Sequence, residues 1–130
     1  MQTQDVQAAK QYFAQKVAYT TGPFEVDGMI RRGEFVTIVD VRLPRDYAHG
    51  HIPGAVNLPQ GKWHTLAGVP KDRKAILYCY NQTCKLAAAA AVELASRGIA
   101  VVEMEGGFDA WERYGLKVET EAGDGGTGNV

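Results

Sequence analysis

The sequence predicts an α/β domain with a mostly parallel sheet, and three observations predict it. Four short, nearly continuous apolar runs, at residues 36–41, 55–58, 75–78 and 99–102, have the composition of strands buried on both faces. Helix-patterned segments alternate with these runs, as the crossovers of a parallel sheet require. Glycines 33, 98 and 115 stand where those helices should stop.

Each element is read in chain order. Residues 1–20 form an amphipathic helix, with Val6, Phe13 and Val17 sharing a face with Ala9 and Ala14 while Gln and Lys fill the other. Thr20-Thr21-Gly22-Pro23 stops it. Phe24-Glu25-Val26 reads as a short strand, after which Asp27 caps a short helix through Met29 and Ile30 that ends at Gly33. The runs at 36–41, 55–58, 75–78 and 99–102 are the buried strands. A helix over residues 85–97 precedes the last strand, with Gly98 at its C′ position. A final helix over 108–114 follows Gly106-Gly107. Residues 122–130 hold four glycines and one large apolar residue, so a frayed tail is expected.

Composition narrows the function classes. A chain of 130 residues with 45% apolar content and twelve aromatics builds one globular domain rather than a disordered chain. Fourteen basic residues nearly cancel fifteen acidic ones, so no strong field recruits nucleic acid or an anionic membrane. The first ten residues lack the apolar core of a secretory signal, and the longest apolar stretch is seven residues, mostly alanine. Only two cysteines occur, Cys79 and Cys84, too few for a disulfide framework or a four-thiolate zinc site. A cytoplasmic location is expected, and there two neighbouring thiols point to chemistry.

The chemistry belongs at the carboxyl end of a parallel strand, where ligands of open α/β sheets bind. Tyr78-Cys79-Tyr80-Asn81-Gln82-Thr83-Cys84-Lys85 is a polar loop from a buried strand to a helix. Cys79 takes the last strand position, and the loop curls towards a helix N-terminus whose N–H groups are unpaired. Those donors should lower the thiol pKa and make Cys79 a nucleophile. They would equally cradle a persulfide or an incoming oxyanion. The plainer reading is a buried, inert cysteine that ends a strand.

Two segments resemble rhodanese-like domains. Asp40-Val41-Arg42 through Asp46-Tyr47, Gly50-His51-Ile52, Gly54-Ala55 and Asn57-Leu58-Pro59 is similar to that family's N-terminal signature. Tyr78-Cys79 through Gly106-Gly107-Phe108 and Trp111 looks like its active loop, following helix and closing Gly-Gly…Trp. The resemblance covers residues 24 to about 118 and implies a three-layer α/β/α domain with a five-stranded parallel sheet in the order 3-2-4-5-1. It places that domain at residues 22–119, between a helical extension at 1–21 and the tail at 120–130. It also implies a sulfurtransferase in which Cys79 takes sulfane sulfur as a persulfide and passes it to a thiophilic acceptor. No metal or organic cofactor takes part. The N-terminal helix lies outside the shared core and is free to pack on the domain or dock a partner.

The departures from the pattern are in the loop. Family loops often have Gly three residues after the cysteine and Arg five after, where this chain has Gln82 and Cys84. Without the Arg, thiosulfate should bind poorly, with Lys85 the nearest substitute. Related phosphatases have a Cys-x5-Arg loop. Here Lys85 holds the Arg place, and lysine lacks the planar fork that grips phosphate.

Other residues take secondary roles. Asp40 and Arg42 are read as architectural, holding neighbouring loop backbone, and Arg45 as a cation serving donor attraction or solubility. Tyr80, Asn81, Gln82, Thr83, Cys84 and Lys85 line the donor site. Gly106 and Gly107 let backbone pass close to the active loop. His49 and His51 have no third ligand, so packing and turn hydrogen bonds are expected of them rather than metal. Trp63 and His64 lie on the crossing to the next strand, and Trp111 anchors the core. Cys84 is either a small helix-start residue, the plainer reading, or a thiol that resolves a Cys79 persulfide as an intraloop disulfide. The sequence therefore reads as a sulfurtransferase that moves sulfur from a small donor to a thiol or protein acceptor. A non-catalytic binding module and a Cys79/Cys84 redox switch stand as alternatives.

Overall fold

The computed structural model describes residues 5–121. In chain order the elements are α1 (Val6–Tyr19), β1 (Thr20–Thr21), α2 (Pro23–Arg32), β2 (Val36–Asp40), α3 (Pro44–His49), β3 (Val56–Asn57), β4 (Lys74–Tyr78), α4 (Leu86–Ser96), β5 (Val101–Met104) and α5 (Gly107–Arg113), with a 3₁₀ turn at Trp63–Thr65. The five strands form one parallel sheet in the order β1-β5-β4-β2-β3, which is the expected 3-2-4-5-1 order counted from the other edge. The expected tail at 122–130 lies outside the described residues.

Period-two alternation divides the sheet into two faces. Val39, Ala75, Leu77 and Cys79 face one apolar cluster with Ala87, Ala90 and Leu94 of α4. Ile38, Ile76, Tyr78 and Val102 face the other, with Val26 of α2 and Phe108 and Trp111 of α5. Cys79 and Tyr78 therefore leave β4 towards opposite layers. This alternation places the thiol under α4 and the phenol among α2, α3 and α5.

Three local readings are corrected. Phe24-Glu25-Val26 is helical, and Asp27 lies inside α2, where its carboxylate accepts from Arg31 at 3.0 Å, rather than capping it. The first strand is Thr20–Thr21, so the sheet begins before residue 22. The reason is Pro23: its fixed φ suits the first turn of a helix, and extended Gly22 precedes it. The last strand begins at Val101 rather than residue 99, because Gly98 and Ile99 close α4 with N–H bonds to Ala95 and Leu94 carbonyls at 3.0 and 3.1 Å. The six-residue α3 was not expected at all. Its signals are Pro44 in the first turn, Asp46 beside it and Gly50 at the end.

α1 is capped by Asp5, whose Oδ1 accepts from the N–H groups of Gln7 and Ala8, both at 3.1 Å. None of its residues is buried, and Val17 is 80% exposed. Lys16 ties it to the sheet through Glu105 at 2.7 Å. Among the described residues no helix is long and apolar enough to cross a membrane.

Candidate active site

The site forms where β2 and β4 end side by side, with Asp40 opposite Tyr78 and Asn57. Asp40 is fully buried and multiply bonded. Its carboxylate accepts from Arg42 Nη2 at 2.7 Å, from Tyr78 Oη at 2.6 Å and from the Arg42 backbone N–H at 2.9 Å. Arg42 Nη2 also donates to the Gly50 carbonyl at 2.6 Å, and its guanidinium lies 4.2 Å from the Phe108 ring centroid. Burial works against the Arg42 charge, but the hydrogen bonds and charge of Asp40 more than offset it. Tyr78 is driven far up by burial and by Asp40, and stays a neutral phenol that donates to Asp40 while accepting from Ile52 N–H at 3.1 Å. A buried pair so fully bonded is a rigid brace for the strand ends.

A second brace grips the loop. Tyr80 Oη donates to the Asp46 carboxylate of α3 and accepts from Leu43 N–H at 3.2 Å. From the other side, the Phe108 and Asp109 N–H groups of α5 donate to the Cys79 and Tyr80 carbonyls, both at 2.9 Å. That approach depends on Gly107 at φ +63°, where a Cβ would stand 2.6 Å from Asn81 N and 2.8 Å from the Cys79 carbonyl oxygen. Gly106 differs from the expectation: at φ +87° a Cβ there would meet the Ala110 Cβ of α5 at 2.6 Å and no atom of the loop.

Cys79 is 2% exposed. Burial pushes its thiol up to about 11, and the hydrogen bond with the Cys84 side chain adds to this, while the N–H groups of Ala87 and Tyr80 only partly oppose it. The expected depression of this thiol is therefore overturned, because desolvation outweighs the helix donors. Cys84 is half-buried and moves the other way. Burial raises it, but bonding from Cys79 and from the N–H groups of Leu86 and Tyr80 brings it below the ordinary thiol value. Both cysteines are free thiols.

The remaining candidates divide around the loop. Asn81 Oδ1 accepts from Thr83 N–H and Oγ1–H at 3.2 and 3.1 Å, shaping the turn. Lys85 is the residue before α4. Tyr80 and Asn81 join Arg42, Asp46, His49 and Glu112 in the wall of a cavity of about 400 Å³. Gln82 lines a different cavity, of about 600 Å³, facing Thr21, Glu105 and Arg113. Arg45 is exposed on α3 and belongs to neither wall. His51 is buried, stacked on Tyr47 at 3.8 Å between centroids, with Nδ1 2.8 Å from the Tyr47 carbonyl. Among the described residues no group of three metal-ligating side chains occurs. Trp63 Nε1 donates to the Leu58 carbonyl at 3.0 Å, and Trp111 is fully buried. The reading from sequence missed Tyr78 and Asp46, although both flank motif residues it singled out.

The family described as Rhodanese-like domain matches residues 23–114. A protein named Sulfurtransferase from Allochromatium vinosum is 34% identical over 94 residues, covering 69% of this chain and 84% of that protein. Thiosulfate sulfurtransferase GlpE of Pseudoalteromonas translucida is 38% identical over 89 residues, covering 66% and 83%. The HTH-type transcriptional regulator Rv0324 of Mycobacterium tuberculosis is 36% identical over 97 residues, but this chain spans only 43% of its length. Among solved structures, the BH2092 protein of Bacillus halodurans superposes with a TM-score of 0.82 at 29% identity, covering 95% of this chain and 92% of that one. That share is too large to leave α1 out.

Proposed function

The chain belongs to the rhodanese-like domain family, and from that premise we propose that it is a sulfurtransferase with Cys79 as its sulfur carrier. One observation carries the reading: Cys79 directly follows β4 at the mouth of the loop into α4, where the N–H groups of Tyr80 and Ala87 act to lower its thiol against the larger effect of burial. These donors favour a negative sulfur at that point over one elsewhere in the core. The two relatives named sulfurtransferase, each matched over more than four-fifths of its length, support the same activity.

In the proposed cycle the thiolate form of Cys79, the minor form at neutral pH, attacks the outer sulfur of a donor. A bond forms between Cys79 Sγ and that sulfur, the donor's own bond to it breaks, and the remainder leaves with the electron pair. An acceptor thiolate, or cyanide, then takes the outer sulfur and Cys79 Sγ leaves as thiolate. Asp40, Arg42 and Gly107 hold the strand ends and the loop without touching the reacting atoms, and Gly106 turns the chain into α5. The donor site is proposed on the loop of Tyr80, Asn81, Gln82, Thr83, Cys84 and Lys85, of which Tyr80 and Asn81 face one cavity and Gln82 the other. The loop itself supplies no guanidinium; Arg42 in the wall of the adjoining cavity is taken up by Asp40 and the Gly50 carbonyl, and Asp46 and Glu112 line that same cavity. An organic persulfide fits that surface better than dianionic thiosulfate. The two free thiols suit a reducing compartment.

Thiocyanate formation from an organic persulfide and cyanide tests the assignment. The protein should support it, and Cys79→Ser, checked for its fold by circular dichroism, should not. Turnover retained in Cys79→Ser removes this cysteine from the mechanism. Inertness of both the wild-type protein and Cys84→Ser moves the reading to a non-catalytic binding module.

A further inference from the structure

The loop contains a second thiol to which simple sulfur transfer assigns no chemical step. Cys84 closes the loop, its N–H donating to the Asn81 carbonyl at 3.2 Å across the turn that Asn81 and Thr83 shape. That turn returns the chain over Cys79, whose thiol donates to the Cys84 carbonyl at 3.6 Å. Each thiol shifts the ionisation of the other, and both pack against the α4-side cluster. The loop thus folds Cys84 back onto Cys79, five residues away, with the Cys79 thiol against the Cys84 backbone. Cys84 is the more exposed of the two and the more acidic, the form of thiol that attacks at neutral pH.

We propose that Cys84 is the resolving thiol of the cycle, attacking Cys79 Sγ of the persulfide, closing an intraloop disulfide and expelling the sulfane sulfur as hydrosulfide. This rests on the Cys79 persulfide proposed above. The bond between the two cysteine sulfurs forms as the bond from Cys79 Sγ to the outer sulfur breaks. The outer sulfur leaves with the electron pair and is reduced to sulfide. The two cysteine sulfurs are together oxidised to the disulfide, so no external oxidant enters. A dithiol reductant then restores both thiols by exchange. The attack is intramolecular across one turn, so it outruns capture by a dilute external acceptor. The chain is thereby a converter of persulfide to sulfide at the expense of a dithiol. Cys84 occupies the place where related loops have an arginine, so the residue that would grip an anionic donor is exchanged for one that discharges the sulfur.

The test uses the reduced full-length protein and one equivalent of an organic persulfide, whose own leaving group is a thiol and not sulfide. No acceptor or reductant is present, and the reaction is quenched in acid for intact mass and sulfide determination. The wild-type protein should release one sulfide per chain and lose the mass of two hydrogens, which dithiothreitol restores. Cys84→Ser, with Cys84→Ala as a second variant, should instead keep one added sulfur that cyanide removes, and release no sulfide. A wild-type protein that keeps the added sulfur as stably as these variants overturns the resolving role and leaves the Cys79 persulfide standing. Failure of all three proteins to take up sulfur overturns both.

Discussion

Replacing Gly107 with alanine should unseat the active loop from α5, and the structure sets the scale. At φ +63° a residue with a Cβ costs about 1–2 kcal/mol in any surroundings. Here the Cβ would also stand 2.6 Å from Asn81 N and Tyr80 C, both backbone atoms that cannot swing aside. Relieving that contact means moving α5 or the loop, which breaks the Phe108 and Asp109 N–H bonds to the Cys79 and Tyr80 carbonyls. Two such bonds contribute about 1–3 kcal/mol. The expected loss is therefore about 2–5 kcal/mol, read as a fall of roughly 8–20 °C in melting temperature. Gly115→Ala is the matched control, because Gly115 has φ +71° and nothing within 4 Å of its Cβ position. It shares the backbone strain and the chain-entropy effect without the collision. Thermal unfolding followed by circular dichroism compares the two. Equal losses in both variants would refute the close-approach argument and reduce Gly107 to a turn residue.

Other outcomes follow from the same geometry. Arg42→Ala should cost about 3–5 kcal/mol by leaving the Asp40 carboxylate buried and unpaired; chemical denaturation measures it, and a loss within 1 kcal/mol or so contradicts the brace. Because burial raises Cys79 while its bonding partners lower Cys84, the Cys79 thiol is neutral at neutral pH and its alkylation should climb towards a midpoint of about 11. Peptide-resolved alkylation against pH should therefore label Cys84 first, and faster labelling of Cys79 at neutral pH contradicts that ordering. Cys84→Arg should improve single-turnover loading from thiosulfate by about one to two orders of magnitude, since a charge-assisted hydrogen bond contributes roughly 1.5–3 kcal/mol. An organic persulfide should gain much less, and equal gains for both donors would place the anion site elsewhere.

The parallel sheet was legible because β2 and β4 lie in its middle, and strands buried on both faces must be apolar along their whole length. The two-residue β1 was not, since Thr20–Thr21 gains its strand character from pairing with β5 and has no run long enough to show a period. Phe24-Glu25-Val26 was misread for the related reason that β-like residue types yielded to Pro23 and the packing of Val26 beneath the sheet. The place of Cys79 beside a strand end followed from the run before it, although β4 stops one residue earlier, at Tyr78. Its ionisation did not, because the depth of burial comes from a cluster that gathers residues from β2, β4 and α4, which no local pattern contains. Asp46 and Tyr78 were within motifs already marked, but their bonds to Tyr80 and Asp40 join residues 34 and 38 positions apart.

The central claim is that Cys79 carries the sulfur, and the Cys84→Ser protein tests it most directly. Trypsin cleaves after Lys74 and Lys85, so the peptide of residues 75–85 then contains a single thiol, Cys79. After exposure to one equivalent of an organic persulfide, that peptide should gain the mass of one sulfur, and cyanide should remove it as thiocyanate. A peptide that gains no sulfur, or sulfur of the same cyanide-labile kind taken up equally by a protein with both Cys79→Ser and Cys84→Ser, contradicts the account.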